Sequence, residues 1–533
     1  MASLSVLTLV CFFTQIFAFQ HPGLLVTDED INRAKTKIAA QEDPWLSSWN
    51  KLTSLEFSNA SYTNNAVDIV SRSTNGELLW HDAAAAFNLA VRWKISGDEQ
   101  YAAAAADILV AWAETLQSLS GGGDDDYLTA GLQGYELANA AELLRDYAPF
   151  AKSGLSAVQS MMTDIFLPMN LDFLNHVLGS EHNVLHFFAN WEQCNLASAM
   201  AIGVLTDNQT AYDFAVEYFK SGTGNGAISN GITNIVEEPG TGTSLGQGQE
   251  SGRDQGHSAL DFQLLGVIGQ QAWNQGEDLF GYADNRILLG AEYFARYNLG
   301  NDVPFESYTN GIVSYDVISE ASRGAIRPAW ELLYAHYVQI KGLEAPWTTE
   351  YLNNTLEYFG GFEGGAGSWG EGSGHYDGLG WGSLLHHLGD TVNASTTTSQ
   401  STAATPTSTS VQANTVSSAL STSIPTTSSP ASSSSVAAVA SSISSLQSSA
   451  SEFVATVSSA SQTTTLIQSS TSVATSQTTT AIQSSSSVAT SQTTTAIHSA
   501  SSVATSQTSK GTHVHQHHTS GRACRPRSTN VTK

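Results

Sequence analysis

Charge is scarce in this 533-residue chain, where Lys, Arg, Asp and Glu make up 13% of the residues, and it is lopsided, with 21 basic against 48 acidic. An acidic surface of this kind repels polyanions, so nucleic acid and anionic membranes are not expected partners. Cysteine is scarcer still, with three residues. Cys11 falls in an apolar leader, Cys194 in an apolar helical pattern and Cys524 in a polar tail, so no disulfide framework is expected and stability must come from a hydrophobic core. No long apolar run follows the first eighteen residues, which leaves no second candidate for a membrane span. Residues 19–390 contain no internal repeat, which argues against an open helical solenoid.

The first eighteen residues, Met1–Ala18, are apolar, carry no acidic residue and end in Ile16-Phe17-Ala18. They read as a secretory signal peptide rather than a membrane anchor, for which the apolar core is short. Asn-x-Ser/Thr sequons at Asn59, Asn208, Asn353, Asn393 and Asn530 fit passage through the secretory pathway. Near Asn393 the composition changes to Ser, Thr, Ala and Val, with Phe453 the only aromatic residue from there to the end. Ser-Val-Ala-Thr-Ser-Gln recurs there from Ser472, Ser487 and Ser502. Such a segment cannot form a packed core and reads as a disordered, O-glycosylated stalk able to associate the protein with a cell wall. The resulting division is 1–18 signal peptide, 19–392 folded domain and 393–533 tail. Because residues 394–533 hold five basic residues and one acidic, residues 1–393 hold 16 basic against 47 acidic, a net charge of −31.

Within the folded part the apolar residues recur at spacings of three and four, predicting helices over Gly76–Ile95, Glu99–Leu119, Leu128–Tyr147, Ser153–Leu174, Glu181–Val204, Gln255–Trp273, Leu279–Tyr297, Arg327–Ile340 and Thr348–Phe359. Alanine runs at Ala83–Ala86 and Ala102–Ala106 favour close helix contacts, and turn residues such as Gly97-Asp98 and Gly276–Asp278 separate the helices. A succession of antiparallel helix hairpins with short loops predicts an all-α, (α/α) toroid or barrel, with helix N-terminal ends and longer loops lining a cleft.

Two windows hold most of the candidate chemistry: Gly179-Ser-Glu-His-Asn-Val-Leu-His-Phe-Phe-Ala-Asn-Trp191 and Gly246-Gln-Gly-Gln-Glu-Ser-Gly-Arg-Asp-Gln-Gly-His257. On a helix starting near Ser180, His182, His186 and Asn190 share one side with Asn183, Phe187 and Trp191 adjoining. Helix capping and core hydrogen bonding are the plain alternative, and the His182-x-x-x-His186 spacing would also suit a metal ion, although the internal Glu of the metalloprotease motif is absent. In the second window Arg253, Asp254, Gln255 and His257 crowd one turn after a glycine-rich lead-in, and Arg253 is suited to bidentate binding of a carboxylate or phosphate. A helix-start ion pair between Arg253 and Asp254 is the simpler reading. Two further segments combine aromatic rings with hydrogen-bonding groups, as a sugar ring requires: Arg323 and Arg327 before Trp330, Glu331 and Tyr334, and a glycine-rich loop with Trp369, Glu371, His375, Tyr376, Asp377 and Trp381.

With its Glu-His-Asn...Asn-Trp helix, Glu-Ser-Gly-Arg-Asp-Gln-Gly-His segment and Arg-Pro-x-Trp-Glu segment, the chain resembles the alginate lyase superfamily of helical-toroid polysaccharide lyases, particularly secreted fungal members, over roughly residues 20–390. Well-studied members place Asn before His where this chain has His182-Asn183, and a tyrosine seven residues after the arginine where this chain has Leu260. The resemblance implies β-elimination at a uronic acid of a 4-linked polyuronate, of alginate/mannuronan or glucuronan type, with no metal and no cofactor. It implies a group that neutralises the carboxylate, assigned to Asn183 and Arg253 with His257 close by, and an acid/base, assigned to Tyr315 with His257 competing. Substrate contacts are expected from His182, His186, Asn190, Trp191, Gln255, Tyr308, Arg323, Arg327, Trp330 and Tyr376. A glycoside hydrolase using paired carboxylates such as Glu181 with Glu250 or Asp254, and a non-catalytic carbohydrate-binding wall protein, are the alternatives.

Overall fold

The computed structural model describes residues 18–177, 187–310, 312–369 and 376–389, and the structural statements below concern those residues. In chain order the elements are α1 (Asp28–Ala39), α2 (Trp45–Ser54), β1 (Ile69–Val70), α3 (Gly76–Ser96), α4 (Glu99–Thr115), β2 (Ser118–Leu119) and α5 (Asp125–Leu143). They continue with α6 (Leu155–Met161), α7 (Leu167–Leu174), α8 (Ala189–Leu205), α9 (Gln209–Ser221), α10 (Ile228–Gly231), β3 (Ile232–Glu237) and β4 (Ser244–Gly248). The last are α11 (Gln255–Asn274), α12 (Tyr282–Asn298), β5 (Tyr308–Thr309), β6 (Ser314–Tyr315), α13 (Trp330–Tyr334), α14 (Pro346–Phe359) and α15 (Gly382–Leu385).

Local chemistry sets many of the boundaries. Thr27 and Asp30 form a reciprocal capping box at α1, Asp98 and Asn208 accept from the first turns of α4 and α9, and Gly97 ends α3 with φ 74°. Wide π turns at Phe150–Gly154 and Met162–Phe166 interrupt the predicted Ser153–Leu174 helix. Ala283–Asn285, at the start of α12, lie in the left-handed region with φ of 52° to 59°, so regular helix begins after them. Within the predicted Glu181–Val204 helix, α8 begins at Ala189 because Phe188 is extended (φ −70°, ψ 160°), and residues 181–186 lie outside the described ones. The glycine-rich lead-in to α11 is strand β4, paired antiparallel with β3.

Packing arranges the helices in two rings. α3, α5, α8, α11 and α13 contact one another in sequence on the inside, and α4, α7, α9, α12 and α14 each back one of them on the outside. α15 and α1 close the ring between α13 and α3: Arg33 donates to the carbonyls of His387 (3.0 Å) and Leu385, and Trp381 Nε1 donates to Asn88 Oδ1 of α3 (2.6 Å). This is the (α/α) toroid expected from the helical hairpins. Inner helices are buried on all sides, so their polar groups must satisfy one another. Asn139 of α5 donates to Gln271 of α11 (3.0 Å), which in turn donates to the Ala197 carbonyl of α8 (3.1 Å).

Close approach of α5 and α8 depends on two glycines. A Cβ on Gly131 would overlap Cys194 Sγ and lie 2.9 Å from Asn195 N, and one on Gly134 would overlap Ser198 Oγ. Gly131→Ala should therefore lower stability by about 1–3 kcal/mol through overpacking. Denaturant unfolding measures this, and an unchanged midpoint would mean that the two helices separate at little cost.

Candidate active site

The cleft begins with a helix that cannot cap itself. Phe188 supplies no side-chain acceptor to α8, so the first amide groups of that helix are satisfied from the turn after β4. Gln249 Oε1 accepts from Ala189 N (3.0 Å), and Glu250 Oε1 accepts from both Asn190 N (3.0 Å) and Asn190 Nδ2 (2.5 Å). Glu250 is fully buried, a charge tolerated because it sits at a helix N-terminus and because its other oxygen accepts from Arg253 Nη1 at 2.8 Å.

Arg253 is held on three sides. Besides the Glu250 pair, its guanidinium lies 3.8 Å from the centre of the Phe188 ring, and Nη2 donates to His257 Nε2 at 3.1 Å. A guanidinium only donates, so the network assigns the His257 lone pair to Nε2 and the ring proton to Nδ1. That Nδ1–H donates to Asp254 Oδ2 at 2.6 Å, while Asp254 Oδ1 caps α11 by accepting from His257 N at 2.9 Å. Burial pushes the Asp254 carboxyl up, but the two hydrogen bonds from His257, with Arg253 nearby, outweigh it and hold the group below the usual carboxylate range. The helix-start ion pair expected for this segment is therefore present, with Arg253 Nε 3.9 Å from Asp254 Oδ2, and it belongs to a fixed Asp254–His257–Arg253 chain.

Arg253 and His257 open on a cleft of about 660 Å³ that Arg72, Asn190, Trp191 and Arg327 also line. The N-terminal ends of α5, α8 and α11 converge there, and Arg72 and Arg327 precede α3 and α13. The acidic groups on its wall are largely committed, Asp254 to His257 and Asp377 to Arg327 (2.5 Å). Burial pushes the Arg72 guanidinium down from its ordinary value, with Asp377 opposing.

A second depression, of about 810 Å³, shares a wall with the cleft: Gly252 and Glu320 line one, Arg253 and Ala321 the other. Tyr315 lines this second depression, its ring packed so closely on Gly252 that a Cβ there would lie 2.5 Å from Tyr315 Cβ. Burial pushes the Tyr315 hydroxyl up and the Arg253 charge pulls it back, and among the described residues this hydroxyl has no hydrogen-bond partner. Tyr308 pairs with Tyr315 across β5 and β6; burial raises its hydroxyl too, with Gln249, Asn310 and Asn225 opposing.

Among the expected substrate contacts, Asn190 and Trp191 line the cleft, the former bound to Glu250 and the latter stacked on Phe187 (5.2 Å). Arg327 lines it while almost fully buried. Four others serve different ends. Trp330 is wholly buried and stacked on Phe294, so it belongs to the core and cannot stack on a sugar. Gln255 is also buried, bridging Ser251 O, Ser319 O and Asn298. Arg323 lies on the Tyr297 ring and donates to the carbonyls of Tyr297 and Asn301, which makes it a loop clamp. Tyr376 packs on His81 (4.5 Å) and Phe57 (5.6 Å), beside the cleft residue Asp377. His182, Asn183 and His186 lie outside the described residues, as do Glu181, Glu371 and His375. Sequence reasoning missed Arg72 and Phe188. A lone arginine four residues before a helix in so acidic a domain is the only signal Arg72 offers. Among the described residues no cluster of three His, Cys, Asp or Glu side chains is placed to hold a metal ion.

Comparison with known proteins then places the chain. The sequence profile described as alginate lyase matches residues 28–305, more than half of its length. The chain belongs to the alginate lyase family. It is thus a polysaccharide lyase, acting on a polysaccharide substrate. Among solved structures it is similar to an alginate lyase from Bacteroides ovatus, with 11% identity, a TM-score of 0.42 and coverage of 62% of this chain and 94% of that one. It is also similar to alginate lyase A1-III from Sphingomonas species A1 (14% identity, TM-score 0.42, 63% and 93% covered). A third similar structure is a histidine-to-alanine variant of alginate lyase A1-III complexed with tetrasaccharide (12% identity, TM-score 0.44, 70% and 97% covered). Comparison with curated proteins gives no match.

Two substitutions in this lyase should differ in kind. His257 is 43% exposed, so His257→Ala should lower turnover by about 10²–10³ with little change in melting temperature. Arg253→Ala leaves Glu250 buried without its cation, and should lower stability by about 3 kcal/mol or more as well as abolish turnover. Rate assays beside thermal unfolding separate the two, and equal losses of stability would contradict the assigned roles.

Proposed function

We propose that this lyase cleaves a 4-linked polyuronate of mannuronan or glucuronan type by β-elimination. The observation that carries the reading is the Arg253–His257 contact at 3.1 Å, a cation braced by an oriented imidazole in a cleft with two further arginines. A uronate carboxylate placed on Arg253 has its charge neutralised, which acidifies the C5 proton by stabilising the enolate-like charge that forms as it leaves. Tyr315 is the proton carrier in this reading. Among the described residues its hydroxyl has no hydrogen-bond partner, and although burial pushes that hydroxyl up, the Arg253 charge pulls it back, whereas the His257 lone pair is already taken by Nη2. The phenolate removes the C5 proton, the C5 electron pair forms the C4=C5 double bond, the C4–O bond breaks, and the departing oxygen takes the proton from Tyr315. No water is added. In mannuronate and glucuronate the C5 hydrogen and O4 share a face, so one group can serve both steps. Paired-carboxylate hydrolysis is disfavoured, because Glu250 is buried under Asn190 and Arg253, and Asp254 is bound to His257.

Ultraviolet absorbance of unsaturated products across a panel of polyuronates tests the reaction, and saturated, water-derived ends would replace it with hydrolysis. Tyr315→Phe should lose nearly all activity, and the wild-type kcat/KM should rise with pH through neutral into the alkaline range, because burial disfavours the phenolate. Retained activity in Tyr315→Phe, or a profile flat across that range, would hand the proton to Tyr308 or His257.

We also propose that the protein is secreted, with residues 393–533 as a glycosylated stalk through which it associates with a cell wall. Two observations support the first part: the Phe19 ring, just after the apolar leader, packs on Tyr212 (5.2 Å), and the sequon residues Asn59 and Asn353 are exposed. Truncation after Asp390 should leave cooperative unfolding and activity intact, since the tail's Ser/Thr-rich composition has too few large apolar residues to dock. Loss of either would show that the tail packs on the domain.

A further inference from the structure

Helix α11 links the cleft to a second cavity. His257 stands near its start and Trp273 near its finish, about 24 Å further along at 1.5 Å per residue. The cavity at that far end encloses about 460 Å³ and is walled by Gln270, Trp273 and Asn274 of α11, Arg33 of α1, and Ile340 and Leu388. Its volume is that of a small-ligand pocket. The Trp273 ring is half-buried, its one ring contact among the described residues is perpendicular, with His336 (4.8 Å), and its indole N–H has no hydrogen-bond partner there. Asn274 Nδ2 donates to the Leu24 carbonyl (2.6 Å), which assigns Asn274 Oδ1 to Gln270 Nε2 (2.9 Å) and leaves Gln270 Oε1 without a donor. Arg33 spends Nε on the His387 carbonyl (3.0 Å) and Nη2 on Asp30 (2.6 Å) and the Leu385 carbonyl, so its Nη1 is unspent. None of these three atoms is closed off from solvent. Ile340 and Leu388 add exposed apolar surface.

We propose that this cavity is a second saccharide site, with no part in catalysis, that binds a neutral sugar chain. A flat apolar ring beside two donors, the Trp273 indole and Arg33 Nη1, and one acceptor, Gln270 Oε1, matches a sugar with its apolar face and its rim of hydroxyls. The hydrogen bonds that pin Arg33 and Gln270 also lower the entropy lost on binding. Charge on the wall selects against a uronate. Arg33 is paired with Asp30, Asp28 with Lys94 (3.3 Å), and His21 is held by Glu142 (2.5 Å) and Asp207 (3.2 Å), while Glu29 has no cation. The catalytic cleft, by contrast, has Arg72, Arg253 and Arg327. Because the two sites lie at opposite ends of α11, one molecule can hold two different polysaccharides at once. The proposal does not depend on the polyuronate reading.

Calorimetric titration of the full-length protein with cellopentaose, laminaripentaose and mannopentaose, beside a pentamannuronate, tests it. At least one neutral pentasaccharide should bind saturably at one site, and Trp273→Ala should weaken that binding about tenfold or more. Because Trp273 also packs on His336, Gln270→Ala serves as a second variant: its side chain bonds only to Asn274, and its loss should weaken the same sugar several-fold with an unchanged melting temperature. Release of unsaturated product from soluble polyuronate by Gln270→Ala should match the wild type, and pentamannuronate should not displace the neutral sugar. Failure of all three neutral sugars to bind overturns the site, as does binding that survives both substitutions. Displacement by pentamannuronate would put the neutral sugar in the catalytic cleft and overturn it equally. If the neutral sugar binds as described but no polyuronate is cleaved, the second site stands and the substrate reading fails.

Discussion

The ion pair between Arg253 and Glu250 is the interaction on which the cleft depends. Glu250 caps α8 through Asn190, and Arg253 begins the turn into α11, so this pair joins the N-terminal ends of two inner helices. Neither partner is replaceable by a simple deletion, because each would leave the other charged and poorly solvated. The same pair orients Arg253 so that one nitrogen serves the buried carboxylate and another reaches His257, whose ring is fixed in turn by Asp254. A functional guanidinium is thereby built into the capping chemistry of the scaffold.

The toroid explains why this arrangement can be precise. Inner helices buried on every side present only their ends, and the ends gathered at the cleft are N-terminal ones, whose free amides and dipoles favour negative charge. In a protein of net charge −27, anion recognition must come from local placement, and Arg72, Arg253 and Arg327 are brought together from positions far apart in the chain. The shared wall formed by Gly252–Arg253 and Glu320–Ala321 sets Tyr315 beside Arg253, and among the described residues its hydroxyl has no hydrogen-bond partner.

Much of this was legible in the sequence, where the physics is local. Apolar spacing located α3, α4, α5, α11 and α14 to within a few residues, whereas α1, α2 and α9 were not predicted. The start of α8 was misplaced because its cap comes from Gln249 and Glu250, sixty residues downstream, and nothing near Phe188 signals it. Trp330, Gln255 and Arg323 were read as sugar-facing because rings, amides and guanidinia that pack look the same in sequence as those that bind. Only the ring closure that buries Trp330, and the loop carbonyls that occupy Gln255 and Arg323, tell them apart. Arg72 sits in an ordinary polar turn, Ser71-Arg72-Ser73-Thr74-Asn75, and became visible only through its place in the cleft beside Arg253 and Arg327.

The central claim is that Arg253 receives the uronate carboxylate with the C5 hydrogen turned toward Tyr315. A crystal structure of the Tyr315→Phe variant with a bound uronate tetrasaccharide tests it most directly. The account predicts one carboxylate in contact with the Arg253 guanidinium, the C5 hydrogen of that sugar facing the substituted ring and the scissile oxygen on the same side. A carboxylate seated away from Arg253, or a C5 hydrogen facing the opposite wall of the cleft, would contradict it.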